Sequence, residues 1–148
     1  MPVFCTIKLI FRLIGILCSI LAITPALANN AQFIAKDHIV IDLKSGVEWL
    51  RCSVGQRWNG TQCVGDIIKL NQEMSVQAIN LADEQLGGNW RLPTREELEN
   101  IVCHECSQPK IDASIFPNTP AEPFWTGEQN KYSPRHVWSV NFFTGHTY

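Results

Sequence analysis

A chain of 148 residues, 45 % of them apolar and 18 % charged, is long enough for one domain around one core. Its 12 basic residues are outnumbered by 14 acidic ones, for a formal net charge of −2, and they form no stripe. That balance excludes a nucleic-acid binder or a binder of anionic membranes, both of which need concentrated positive charge.

The N-terminus speaks to compartment before fold. Lys8 and Arg12 supply positive charge, residues 13–23 form an apolar run, and Thr24-Pro25-Ala26-Leu27-Ala28 ends in small residues where a signal peptidase reads. We expect a signal peptide over residues 1–28 and a mature domain over 29–148 that is secreted, periplasmic or held at the cell surface. The rival, a retained anchor, would run through Lys8 and Arg12, whereas a spanning helix needs about 20 predominantly apolar residues. A lipoprotein is disfavoured, because Leu17 precedes Cys18 where a small residue belongs. Losing Lys8 and Arg12 leaves 10 basic against 14 acidic residues, so the mature charge is −4, and all five tryptophans remain.

Four cysteines also remain, an even number suited to a compartment that permits disulfides. Of the three pairings, the local one is favoured: Cys52 with Cys63, and Cys103 with Cys106, each bracketing its own turn. The first encloses Trp58-Asn59-Gly60-Thr61, where Asn-Gly is a tight-turn signal. The turn also accounts for Asn59-Gly60-Thr61 without invoking it as a glycosylation acceptor.

Strands are expected over His38–Asp42 and Val47–Arg51, with Ile39, Ile41 and Leu43 on one face and Lys44-Ser45-Gly46 turning between them. Residues 53–66 then form an irregular stapled excursion. Helical spacing follows over residues 73–86, with Val76, Ile79, Ala82 and Leu86 as the apolar stripe and Gly87-Gly88 as the stop. Trp90 and Leu92 alternate with Arg91 as a short extended entry to the core, where Trp90 is expected to pack. Thr94 and Glu97 read as a capping box, so a second helix starts at Arg95 and turns Leu98, Ile101 and Val102 inward. Glu96, Glu97 and Glu99 suit the positive end of its dipole.

Beyond Cys106 the chain is loop-rich, punctuated by Pro109, Pro117, Pro120 and Pro123. A strand is centred on Phe124-Trp125-Thr126. Another runs over residues 136–143, where Trp138, Val140 and Phe142 alternate with their neighbours and both faces are partly apolar, as in a central strand. Thr144-Gly145 then signals a turn with no strand behind it. The class is α+β: a small disulfide-stapled domain with two helices packed on a mainly antiparallel sheet.

Ile41–Trp49, Gly88–Leu98, Ile111–Pro120, Phe124-Trp125 and Val137–Phe142 before Gly145 together resemble the Lcl C-terminal domain family, over about residues 38–148. The resemblance implies a C-type-lectin-like α+β domain on an exported protein, with adhesion to host glycans as the family's best known role. Family domains usually continue past the Trp-Ser-Val-Asn-Phe strand to a closing strand, so the resemblance implies that this chain is missing its last strand and leaves an unpaired edge. The sulfated polysaccharide bound by the adhesin that names the family is not carried over, because this mature domain is acidic and its basic residues are scattered.

Function is therefore expected to be non-enzymatic binding, of adhesin type or as a cell-envelope recognition module, with a glycan or a surface protein as ligand. Trp58 in the stapled loop and Trp125 after the proline-rich loop are the candidate ligand-binding residues, since an indole face stacks on a sugar ring and loops carry binding residues. No metal or cofactor is expected. A calcium site needs about six to eight converging oxygens, and nothing near Glu122-Pro123-Phe124 supplies them.

The alternative is a periplasmic thiol–disulfide protein using Cys103 and Cys106, or a zinc site adding His104. Both meet objections. The pair sits at the C-terminal end of the second helix, where the dipole disfavours a thiolate, and no second C-x-x-C offers a fourth ligand. No G-x-S-x-G, H-E-x-x-H, phosphate loop or dinucleotide fingerprint occurs, and His38, His104, His136 and His146 show no partner scheme.

Overall fold

The computed structural model describes residues 31–148, so the signal peptide expected over residues 1–28 lies outside the described part. Strands β1 (Phe33–Lys36), β2 (Ile39–Asp42) and β3 (Val47–Leu50) form one antiparallel sheet. Strands β4 (Arg57–Trp58) and β5 (Cys63–Val64) form a small hairpin, followed by helices α1 (Gln72–Leu86) and α2 (Arg95–Asn100). Strands β6 (Pro123–Gln129), β7 (Val137–Asn141) and β8 (His146–Thr147) make the third sheet, with β7 central. The class is mixed α+β. In place of one sheet under two helices there are three separate antiparallel sheets, and α2 is the helix that packs on β6 and β7.

One core joins these pieces. Val40 of β2, Leu98 and Ile101 of the α2 region, Ile111 and Phe116 of the long loop, Val140 of β7 and Phe142 in the turn after it are all buried together. Phe33 meets Phe116 edge-on at 5.6 Å, and Phe124 meets Phe142 at 5.2 Å. Each such side chain contributes about 1.5–3 kcal/mol by leaving water.

The first hairpin forms where its alternation places it, but with the other parity inward. Val40 and Asp42 are fully buried, whereas Ile39 and Ile41 are half-buried and Leu43 is exposed. A period of two defines two faces without saying which is inside. Asp42 tolerates the inner one because its carboxylate accepts hydrogen bonds from the Gln32 side chain, the Lys44 and Ser45 amides and the Ser45 hydroxyl. Burial opposes its ionisation, yet the bonds from Ser45, Lys44 and Gln32 outweigh that and hold its pKa below the ordinary carboxylate value. Strand β1, which the periodicity did not indicate, is a mostly exposed edge, turned into β2 by Asp37 at φ 51°.

Helix α1 is capped as its ends foretell: Asn71 Oδ1 accepts from the Met74 amide at 2.8 Å, and Gly87 takes φ 67°. Its rotation differs from the expected stripe. Ser75 is buried, Ala78, Ile79, Ala82 and Asp83 are half-buried, and Val76 and Leu86 are exposed. Asp83 has to face inward because its carboxylate accepts the Trp90 amide at 2.7 Å. Trp90 in turn lies outside the core, with its indole N–H donating to the Gly87 carbonyl at 2.8 Å.

Both local disulfides form, Cys52–Cys63 and Cys103–Cys106. The second lies in the turn beyond α2, because the helix ends at Asn100. The Thr144-Gly145 turn does have a strand behind it: β8 returns along β7, pairing Thr147 with Val140 and His146 with Asn141. That pairing covers the β7 edge that was expected to stand open.

Candidate functional site

The start of α2 is built by Trp90–Leu98. Arg91 donates through both terminal nitrogens to Glu97, at 2.8 and 2.6 Å, and Glu97 also accepts the Thr94 amide at 2.8 Å. Thr94 Oγ1 accepts the Glu97 amide at 3.2 Å, completing the capping box. The Arg91 guanidinium, helped by the Thr94 amide and opposed by partial burial, draws the Glu97 pKa down to about 2. Two links then tie this corner to β6: the Gly127 amide donates to the Pro93 carbonyl at 2.8 Å, and the Arg95 amide donates to Glu128 at 3.2 Å.

Across from α2, the β6–β7 pairing slips between Trp125 and Gln129. Buried Thr126 sits inside this irregularity, donating to the Trp138 carbonyl at 2.9 Å and accepting the Glu128 amide at 3.2 Å. The connection to β7 is tied down locally. Asn130 Oδ1 accepts the amides of Tyr132 and Ser133, Ser133 Oγ lies 2.7 Å from His136 Nδ1, and the Gln129 side chain reaches the Pro134 carbonyl. Tyr132 rides at the tip, 89 % exposed.

These two constructions face each other across a groove of about 640 Å³. Arg95 and Glu96 border one side, Glu128 and Lys131 the other, and Trp138 and Tyr132 line its aromatic part. The two rings meet nearly at right angles, 85°, with centroids 6.1 Å apart. The Arg95 guanidinium lies 5.1 Å from the Trp138 ring centre and 3.5 Å from Glu99. Two aromatic rings and four charged side chains thus line one open groove.

The candidates picked from sequence lie elsewhere. Trp58, on β4, is half-buried and carries the Arg51 guanidinium 3.9 Å from its ring centre. Arg51 is itself held by the carbonyls of Ile115 and Ser114, so the chain already occupies one face of that indole. Trp125 is 40 % exposed, on the strand expected around it, and its indole N–H donates to the Leu70 carbonyl at 2.8 Å. It borders a smaller cavity of about 340 Å³ with Gln72, Arg135, His136 and Tyr148. The structure does not bring Trp58 and Trp125 together with the larger groove.

Tyr132 was missed, and its signal was an aromatic residue set in the turn-rich run Asn130–Pro134. Among the described residues, no group of three or more His, Cys, Asp and Glu side chains gathers to hold a metal ion. Cys103 and Cys106 are bonded to each other, which takes both sulfurs out of a Cys-His-Cys zinc site.

Residues 38–148 match the Lcl C-terminal domain. The chain belongs to the Lcl C-terminal domain family. No curated protein and no solved structure matches it. In this Lcl C-terminal domain the matched span includes both walls of the groove, the α2 corner and the β6–β7 hairpin, together with all four paired cysteines.

Proposed function

We propose that this Lcl C-terminal domain is an exported, non-enzymatic recognition module of adhesin type that binds a saccharide in the groove between α2 and the β6–β7 hairpin. The observation that carries this reading is the exposed Tyr132 ring set edge-on beside the half-buried Trp138, because an exposed aromatic ring beside charged donors and acceptors suits the apolar face and hydroxyl rim of a sugar ring. Export is supported by two disulfides, which persist in oxidising compartments. Among the described residues no helix is long and apolar enough to cross a membrane. The lectin-like comparison is supported only by the small stapled antiparallel scaffold. Trp125, beside the smaller cavity, is proposed as a secondary contact, and Trp58, half covered by Arg51, as a weaker one.

A glycan array probed with the folded protein tests the reading. Signal on one saccharide class that is lost in Tyr132→Ala and kept in Trp58→Phe supports it. No signal on any saccharide overturns it in favour of a surface-protein ligand.

A further inference from the structure

We infer that the groove selects an uncharged pyranose-type saccharide over sulfated or uronate-bearing ones. This rests on the saccharide reading above and names its ligand class. The charges bordering the groove are Arg95, Lys131, Glu96 and Glu128, two of each sign, so the site offers no net attraction for an anion or a cation. An anionic sugar bound there would bring its charge against Glu96 and Glu128, neither of which is paired with a cationic side chain among the described residues. Across this exposed groove, like charges at short range repel, most strongly at low salt.

The cations are not arranged to overcome that repulsion. Arg95 is already engaged, with its guanidinium over Trp138 and beside Glu99. Lys131 stands alone, and a single ammonium on a flexible stem is a poor basis for selecting polyanions. Hydroxyl groups use the same set well. Carboxylates accept from them, the ammonium donates to them, and charge-assisted hydrogen bonds to neutral partners are stronger than neutral ones. Glu128 is also positioned: one carboxylate oxygen takes the Arg95 amide at 3.2 Å, which holds the side chain against α2 and leaves the other oxygen for a ligand. The Tyr132–Trp138 corner supplies the apolar complement to a ring's C–H face.

The test is binding of protein expressed from the full sequence to three immobilised probes: neutral cello-, manno- and galacto-oligosaccharides, an oligogalacturonate, and dextran sulfate. Each is measured at low and high salt, with Tyr132→Ala and Glu96→Lys alongside. Both side chains are exposed, so neither variant is expected to disturb the fold, which circular dichroism checks. The expected result is binding of a neutral probe that changes less than about twofold with salt and falls about tenfold in Tyr132→Ala. Glu96→Lys is expected to gain dextran sulfate binding. Binding confined to the charged probes and weakening steeply with salt overturns the selectivity while leaving the saccharide reading intact. Binding of none of the three overturns both.

Discussion

Arg91 and Glu97 are joined by two parallel hydrogen bonds of 2.8 and 2.6 Å, and the same carboxylate accepts the Thr94 amide. Glu97 is thus a cap and an ion-pair partner at once. Through it the extended Trp90–Pro93 segment and the first turn of α2 become a single rigid corner, on which one wall of the groove is mounted.

Its pH dependence follows from direction. The folded pKa of Glu97 lies near 2, below the ordinary value of 4.5, so its contribution is fully present above the unfolded value and is lost as pH falls from about 4.5 through about 2. Arg91 is half exposed, which screens the pair. Glu97→Gln should therefore cost about 1–2 kcal/mol at pH 7 and flatten the acid limb below pH 5, as read by urea unfolding across pH. An acid limb of unchanged steepness would count against this assignment.

The disulfides should contribute unequally. Cys52–Cys63 spans a separation of 11 residues and Cys103–Cys106 one of 3, so loop closure favours the first, at about 3 against about 2 kcal/mol. Paired serine replacements compared by thermal unfolding check the order. A native thiol titration should find no reactive sulfur at Cys103 or Cys106; a pair that cycles readily with mild reductant would revive the thiol–disulfide alternative.

Thr126→Val keeps the shape of a fully buried side chain while removing the hydroxyl that joins the Trp138 carbonyl to the Glu128 amide. We expect a loss of about 1–2 kcal/mol, and weaker saccharide binding as Glu128 loses its seat. A stability loss with unchanged affinity would show that the irregularity in β6 does not serve the groove.

Two glycines separate crowding from conformation. A Cβ on Gly55, at φ 93°, would lie 2.2 Å from the Asp66 carbonyl oxygen, whereas one on Gly60, at φ 104°, would meet nothing within 4 Å. Gly55→Ala should cost more than about 3 kcal/mol, and Gly60→Ala about 1–2 kcal/mol, measured by chemical denaturation.

Features with a local cause were legible in the sequence. The capping box at Thr94, the stop at Gly87, the Asn59-Gly60 turn and the neighbouring cysteine pairs each depend on residues close together in the chain, and each forms. Features set by contacts between an element and residues outside it were not. The inward parity of β2 depends on Gln32 reaching Asp42, and the rotation of α1 on Asp83 meeting Trp90. Strand β8 is only two residues long, too short for alternation to register. The groove was the least legible, because Tyr132 and Arg95 lie 37 positions apart in sequence and share a site only through the links among Arg95, Glu128 and Thr126.

The Gln32 side chain that reaches Asp42 also donates to the Asn100 carbonyl, at 3.2 Å in each case. A single amide thus fastens the opening turn of the first sheet to the far end of α2. Protonating Asp42 would loosen one end of that fastener, so strong acid should free the N-terminal edge and slacken the helix in the same event, as one cooperative step and not two.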